Sequence, residues 1–153
     1  KKNGKIKMWY ENNKLKYVGN YKNGLMDGNW TYYWNNGNIK AEGSFINGNG
    51  GNKNKITKIP TNGRDGKWLS WHKKGGKWSE ILFANGKKHG SQKNWYDNGQ
   101  KELEGIYEND VPVKTWMWWY VDGSPMQEGE YNKQGKFEGL YFINPATPEV
   151  TYP

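Results

Sequence analysis

Two histidines, His72 and His89, and a column of carboxylates, Glu42, Glu80, Glu104 and Glu128, are the residues whose types could support acid–base or metal chemistry. Paired carboxylates can divide the roles of general acid and base, and neutral imidazole is the commonest side-chain metal ligand. Neither pattern is completed here. The glutamates recur 24 or more residues apart, beside Lys and Thr, which reads as a solvated cross-strand ladder. His72 stands where equivalent positions carry Tyr10, Trp34, Tyr96 and Tyr120, so it is expected to pack inward; His89 precedes Gly90 at a turn position. Gly48-Asn-Gly-Gly51-Asn-Lys53 is glycine-rich, but it lacks the Gly-Lys-Ser/Thr ending and the following helix of a phosphate loop. The chain has no cysteine, which removes thiolate metal sites and a Cys nucleophile. No catalytic residue, metal ligand or cofactor is expected.

What remains is binding chemistry, carried by rings and lysines. Ten Trp, eleven Tyr and four Phe stand in a chain where Leu, Ile, Val and Phe together make only 23 of 153 residues. That aliphatic content with a net charge of +8 would ordinarily signal disorder. Aromatic side chains bury large areas at small rotamer cost, so such a chain folds if its rings share faces. The column Trp9, Tyr33, Trp71, Trp95 and Trp119 is the candidate partner-binding surface: a ring in every unit on the face opposite a second ring column. Rings on both faces also stiffen a thin sheet, which is the structural reading of the same column. Lys53, Lys55, Lys58 and Arg64 form the candidate lipid-binding cluster. Arg64 is the only arginine. Base readout favours Arg, and lysine commonly serves solubility or blunts sheet edges, so nucleic acid is not an expected partner.

The elements that must position these residues are set by an internal repeat. Gly4, Gly28, Gly66 and Gly90 open equivalent units; the first and third intervals are 24 residues, and the second is 24 plus 14. Further starts fall at Lys114 and Gly139. An aromatic follows five residues after each of the first five starts, and a second aromatic column, Tyr21, Phe45, Phe83, Tyr107 and Tyr131, falls seventeen after. In the second unit Asn36-Gly37 separates two alternating runs, a hairpin signal that calls for positive φ at both turn residues. That register pairs Trp34 with Ile39, Tyr32 with Ala41 and Thr31 with Glu42. It gathers Trp30, Tyr32, Trp34, Ile39, Ala41 and Phe45 on one face. Further turns are expected at Asn12-Asn13, Lys74-Gly75, Asn98-Gly99 and Asp122-Gly123, with unit-joining turns at Asn23-Gly24, Asn47-Gly48 and Asn85-Gly86. The expected product is a meander of about ten to twelve short strands. Residues 49–65 interrupt the repeat as an inserted loop, either functional or a tolerated excursion.

Tyr17-Val-Gly-Asn-Tyr21-Lys-Asn-Gly24-Leu-Met-Asp-Gly28-Asn-Trp-Thr-Tyr32-Tyr-Trp-Asn-Asn-Gly37 resembles a MORN repeat nearly position for position. Glu42-Gly43-Ser-Phe45-Ile-Asn-Gly48, Glu104-Gly105-Ile-Tyr107-Glu-Asn109 and Glu128-Gly129-Glu-Tyr131 begin further copies. The period and flavour are similar to the bacterial MORN variant. The resemblance implies an all-β fold of tandem antiparallel β-hairpin repeats, an elongated, twisted meander sheet of the MORN solenoid type. The repeat domain would span residues 1–144 with its insertion at 49–65, and 145–153 would form an irregular tail. In this family the repeats are interaction modules, and bacterial variants carry antitoxin- or immunity-like labels. Plant phosphatidylinositol phosphate 5-kinases bear such repeats as an accessory region, but this chain leaves no room for a kinase domain beside them, so a kinase label would rest on analogy.

The function expected is therefore non-catalytic: a scaffold binding a partner protein, or a second copy of itself as a homodimer, along an aromatic-rich sheet face. The alternative is an anionic phospholipid surface of the phosphoinositide type. A cell-wall glycan ranks last; Gly28-Asn-Trp30-Thr-Tyr32-Tyr33-Trp34 is somewhat similar to glucan-binding units, which lack the Tyr-x-Gly-x-Tyr half seen here. The chain opens at Lys1 without an initiator Met, consistent with a removed leader or tag, and no compartment follows from the sequence.

Overall fold

The structure, a computed structural model, describes residues 1–141. Eleven strands follow one another: β1 (Gly4–Trp9), β2 (Leu15–Lys22), β3 (Leu25–Tyr33), β4 (Ile39–Gly48), β5 (Arg64–Trp71) and β6 (Lys77–Ala84). They continue as β7 (Lys87–Trp95), β8 (Lys101–Glu108), β9 (Val111–Trp119), β10 (Pro125–Tyr131) and β11 (Phe137–Tyr141). All pair antiparallel with their sequence neighbours in one open sheet of order β1 to β11, the expected all-β meander of hairpins. The expected irregular tail, 145–153, lies outside the described residues.

The hairpin turns differ from expectation in one respect that reassigns a side chain. At the β3–β4 turn, Trp34 N donates to Asn38 O (2.8 Å) and Gly37 N donates to Trp34 O (2.9 Å). Only Gly37 takes positive φ, 97°, so Asn35-Asn36-Gly37 is a three-residue loop closed by a glycine bulge, not a two-residue Asn-Gly turn. The same frame recurs at Tyr10–Lys14, His72–Gly76, Tyr96–Gln100 and Tyr120–Ser124. Because of the loop, the register slips between Tyr32 and Tyr33: Tyr32 pairs with Ala41 as expected, but Ile39 pairs with Tyr33 and not Trp34. A bulge places two residues opposite one and so moves the following side chain across the sheet. Ile39 is consequently exposed beside Tyr33, outside the core it was expected to join.

A second correction concerns Asn47-Gly48. Asn23, Asn47 and Asn85 all take positive φ, but only Asn23 and Asn85 turn directly into the next strand; Gly48 is the last residue of β4 and pairs with Met26. The connection to β5 is the insertion, and β5 already begins at Arg64, inside the expected loop range. The inserted residues close over the middle of the sheet. Ile59 is 2% exposed and joins Met26, Trp30, Tyr32, Phe45, Trp68 and Phe83 in one cluster. Lys53 bridges Pro60 and Asn54 N donates to Ile59 O, so the loop is internally tied as well.

The core itself is built from indoles laid on glycines. Trp30, Trp68 and Trp116 lie against Gly19, Gly43 and Gly105 of the preceding strand. A Cβ on Gly43 would stand 2.3 Å from Trp68 Cδ2, well inside contact distance. The Gly in the Tyr-x-Gly-x-Tyr half of these three repeats is thus a floor for the next unit's Trp. Each indole N–H also finds a partner, Trp68 Nε1 donating to Ser44 O at 3.0 Å.

The unit-opening residues Gly4, Gly28, Gly66 and Gly90 all have positive φ, between 65° and 104°. Lys114 takes the same place with φ 60°. Left-handed backbone costs a side-chain-bearing residue roughly 1–2 kcal/mol, and glycine gives back roughly 0.5–1 in unfolded-state entropy. Lys114→Gly is therefore expected to stabilise the protein by about 0.5–1 kcal/mol, measured by urea unfolding. A loss of stability would contradict the strain at this position.

Candidate interaction surface

Successive residues of a strand point to opposite faces, so burial of Trp30, Tyr32, Trp68 and Trp116 on one face fixes the other column on the outer face. The register brings that column into line at the ends of the odd strands: Trp9 pairs with Leu15, Tyr33 with Ile39, Trp71 with Lys77, Trp95 with Lys101, and Trp119 with Pro125. The row has two halves. Toward β1 it is apolar, with Trp9 53% exposed and Leu15 and Ile39 interleaved. Toward β9 it alternates rings with cations: Lys77 Nζ stands 5.1 Å from the Trp95 ring centre and Lys101 Nζ 5.0 Å from that of Trp119. Such contacts contribute about 0.5–1 kcal/mol at exposed sites.

Carboxylates hold the lysine heads. Glu104 pairs with Lys101 at 2.8 Å, and Glu80 lies between Lys67 (3.1 Å) and Lys77 (3.4 Å). The two lysines stabilise ionised Glu80 and hold its carboxyl below the usual range despite some burial. These glutamates belong to the outer ladder and not to an acid–base pair.

The backbone under the row is pinned by contacts that the sequence reading missed. Tyr10 Oη, Trp34 Nε1, His72 Nε2 and Tyr96 Oη reach across to the carbonyls of Tyr33, Trp71, Trp95 and Trp119, at 2.7, 3.0, 2.7 and 2.8 Å. The accepting carbonyl requires that His72 carry its proton on Nε2. His72 is thus a polar tie between hairpins as well as a ring tilted against that of Trp78 (5.7 Å). A signal was present: all four residues carry a ring N–H or O–H, and none is Phe. His89 lies exposed within β7, not at a turn.

The expected lipid-binding residues separate. Lys53, Lys55 and Lys58 are exposed on the insertion, and Ile56 between them is 70% exposed. Arg64 does not share that surface. It is buried, with Nε donating to Pro60 O (2.9 Å) and its guanidinium 4.2 Å from the Trp68 ring and 5.3 Å from Phe83. Burial pushes it down to about 10, which still leaves it charged at neutral pH. Its role is to lock the insertion's exit to the core.

The insertion divides the core face into two clefts of about 590 Å³ each. One opens where the indole pattern breaks: Ile81 stands in place of a floor glycine and its partner Gln92 in place of the Trp. Ser79, Gln92 and Asn94 line that cleft with Trp78. The other lies over β1 to β4.

A single meander of hairpins, with one ring column to each face, defines a β-hairpin repeat protein. The model of the MORN repeat variant family matches residues 2–23, 26–47 and 88–109, which here are the β1–β2, β3–β4 and β7–β8 hairpins, so MORN repeats are present in the chain. A comparison with curated proteins gives no match.

Proposed function

We propose that the protein is a non-catalytic interaction scaffold that binds a partner protein along its outer aromatic row. The observation that supports this most is the continuity of Trp71, Lys77, Trp95, Lys101 and Trp119 across five strands, with the rings neither buried in a core nor covered by the insertion. Partly exposed Trp with cations alongside has the composition of interface cores, where aromatic anchors supply much of the affinity. The MORN resemblance directs the first search to an antitoxin- or immunity-like pairing, with a toxin or secreted nuclease encoded beside this chain. Co-expression with such a neighbour, capture from native lysate and mass in solution test the reading. Retention of a stoichiometric partner or a stable dimer is expected; a monomer that retains neither would refute it.

A second reading, adhesion to an anionic membrane surface, is favoured by the insertion alone. Ile56 is 70% exposed next to Lys55, and the exposed Lys53 and Lys58 lie within three residues on either side of it in sequence. Each lysine near an acidic surface contributes about 1 kcal/mol before screening. Flotation with phosphatidylserine vesicles is expected at low salt and lost at high salt. Ile56→Asp should abolish it, and equal flotation with neutral vesicles would exclude the electrostatic mechanism.

A further inference from the structure

The cleft over β1 to β4 combines charge and rings in a way the outer surface does not. Four lysines line it, Lys16, Lys40, Lys53 and Lys58, and among the described residues lining it there is no carboxylate. None of the four is in an ion pair among the described residues. Lys40 is half-buried at the cleft wall; its Nζ lies 4.5 Å from the Trp34 ring centre and donates to Thr57 O of the insertion at 2.5 Å. Burial lowers its proton affinity and the nearby Lys16 lowers it further, and no carboxylate among the described residues lines the cleft to offset the two charges. The walls are apolar: Met8, Tyr10 and Tyr17 border the opening. Tyr32 also lines the cleft, is 8% exposed, and its hydroxyl has no hydrogen-bond partner among the described residues. Burial holds that phenol in its neutral, proton-bearing form.

We propose that this cleft binds a small anion with an apolar body, a carboxylate or phosphate joined to an aryl or short acyl group. Lys40 and Lys16 take the charged end, Tyr17 and Met8 flank the body, and the insertion forms the cover through Thr57 and Ile59. The volume is within the roughly 300–1,000 Å³ of small-molecule sites. Partial burial of Lys40 near Lys16 disfavours its charged form, and an anion bound between them offsets that cost. Of the outer row only Tyr33 lines this site, and the site does not depend on a protein partner. It also differs from the membrane reading: Lys53 and Lys58 are common to both, but Ile56 and Lys55 do not line the cleft, and Lys16 and Lys40 lie outside the insertion.

The test is saturable binding of 1-anilinonaphthalene-8-sulfonate to the intact protein, with decanoate and phenyl phosphate as competitors. One-to-one binding that both competitors displace is expected, with affinity falling about tenfold in Lys40→Met and severalfold in Lys16→Met. Lys133→Met, far from the cleft, should leave it unchanged. Because Lys40 also ties the insertion, melting is measured for each variant. If Lys40→Met melts early, the exposed Lys16 decides the matter. Equal affinity for the uncharged N-phenyl-1-naphthylamine, or no change in Lys16→Met, would overturn the proposal. A vesicle arm identifies the source: capture of phosphatidylserine vesicles that depends on Lys16 and Lys40 assigns the anion to a lipid headgroup, and displacement by free decanoate assigns it to a soluble ligand. Vesicle capture that depends only on Lys55 and Ile56, without probe binding, would leave the membrane reading standing and refute the cleft.

Discussion

Trp68→Ala is expected to destabilise the protein by about 4 kcal/mol, near the middle of the range for removing a buried large aromatic. Trp68 is 2% exposed at the centre of the sheet and meets Phe45 edge-on at 4.9 Å. Arg64 lies over its face at 4.2 Å, and its indole N–H satisfies Ser44 O. Truncation would remove the transferred area, leave a cavity and deprive a carbonyl of its donor together. The backbone beneath cannot collapse to fill the space, because Gly43 contributes no side chain there. The complementary change, Gly43→Ala, attacks the same contact from below and is expected to cost about 3 kcal/mol, at the upper end of overpacking effects. Chemical unfolding of both variants provides the measurement. If Trp68→Ala lost under about 1 kcal/mol, the indole-on-glycine account of the core would be wrong.

Trp119→Ala and Trp95→Ala are expected to weaken partner binding by about 2 kcal/mol each, or roughly thirtyfold, with little change in melting temperature. The small effect on melting follows from where these residues touch the sheet. Their carbonyls accept the ties from His72 and Tyr96, and truncating the side chains leaves those hydrogen bonds in place. Within the fold each loses a cation–π contact, with Lys77 for Trp95 and Lys101 for Trp119, and the packing of a partly buried ring outside the core cluster. A ring with a structural role would lower stability and affinity in parallel. Early melting of both variants, with normal binding whenever folded, would exclude the outer row as the interface.

The repeat, the hairpins and the alignment of Trp9, Tyr33, Trp71, Trp95 and Trp119 were legible in the sequence, because strand alternation and turn chemistry are local properties repeated every 24 residues. Each unit states its own pairing, and antiparallel neighbours then stack in chain order. Ile39 was misplaced for an equally local reason: Asn36-Gly37 reads as a two-residue turn, and the extra loop residue that shifts the register leaves no mark in residue type. The floor glycines were visible as a motif, but their purpose was not, since Gly43 meets Trp68 25 residues away in sequence and only the folded sheet brings them into contact.

The insertion was the part that tertiary structure alone decided. Its sequence reads as polar loop, yet one aliphatic residue, Ile59, is enough to seat it on the aromatic core, and Arg64 fastens its exit. That docking converts an open sheet face into two clefts and brings Lys53 and Lys58 over Lys16 and Lys40. No periodicity encodes the meeting of those four lysines. It depends on where a non-repeating segment finds buried area, and that choice is made by long-range packing, not by the pattern of the segment itself.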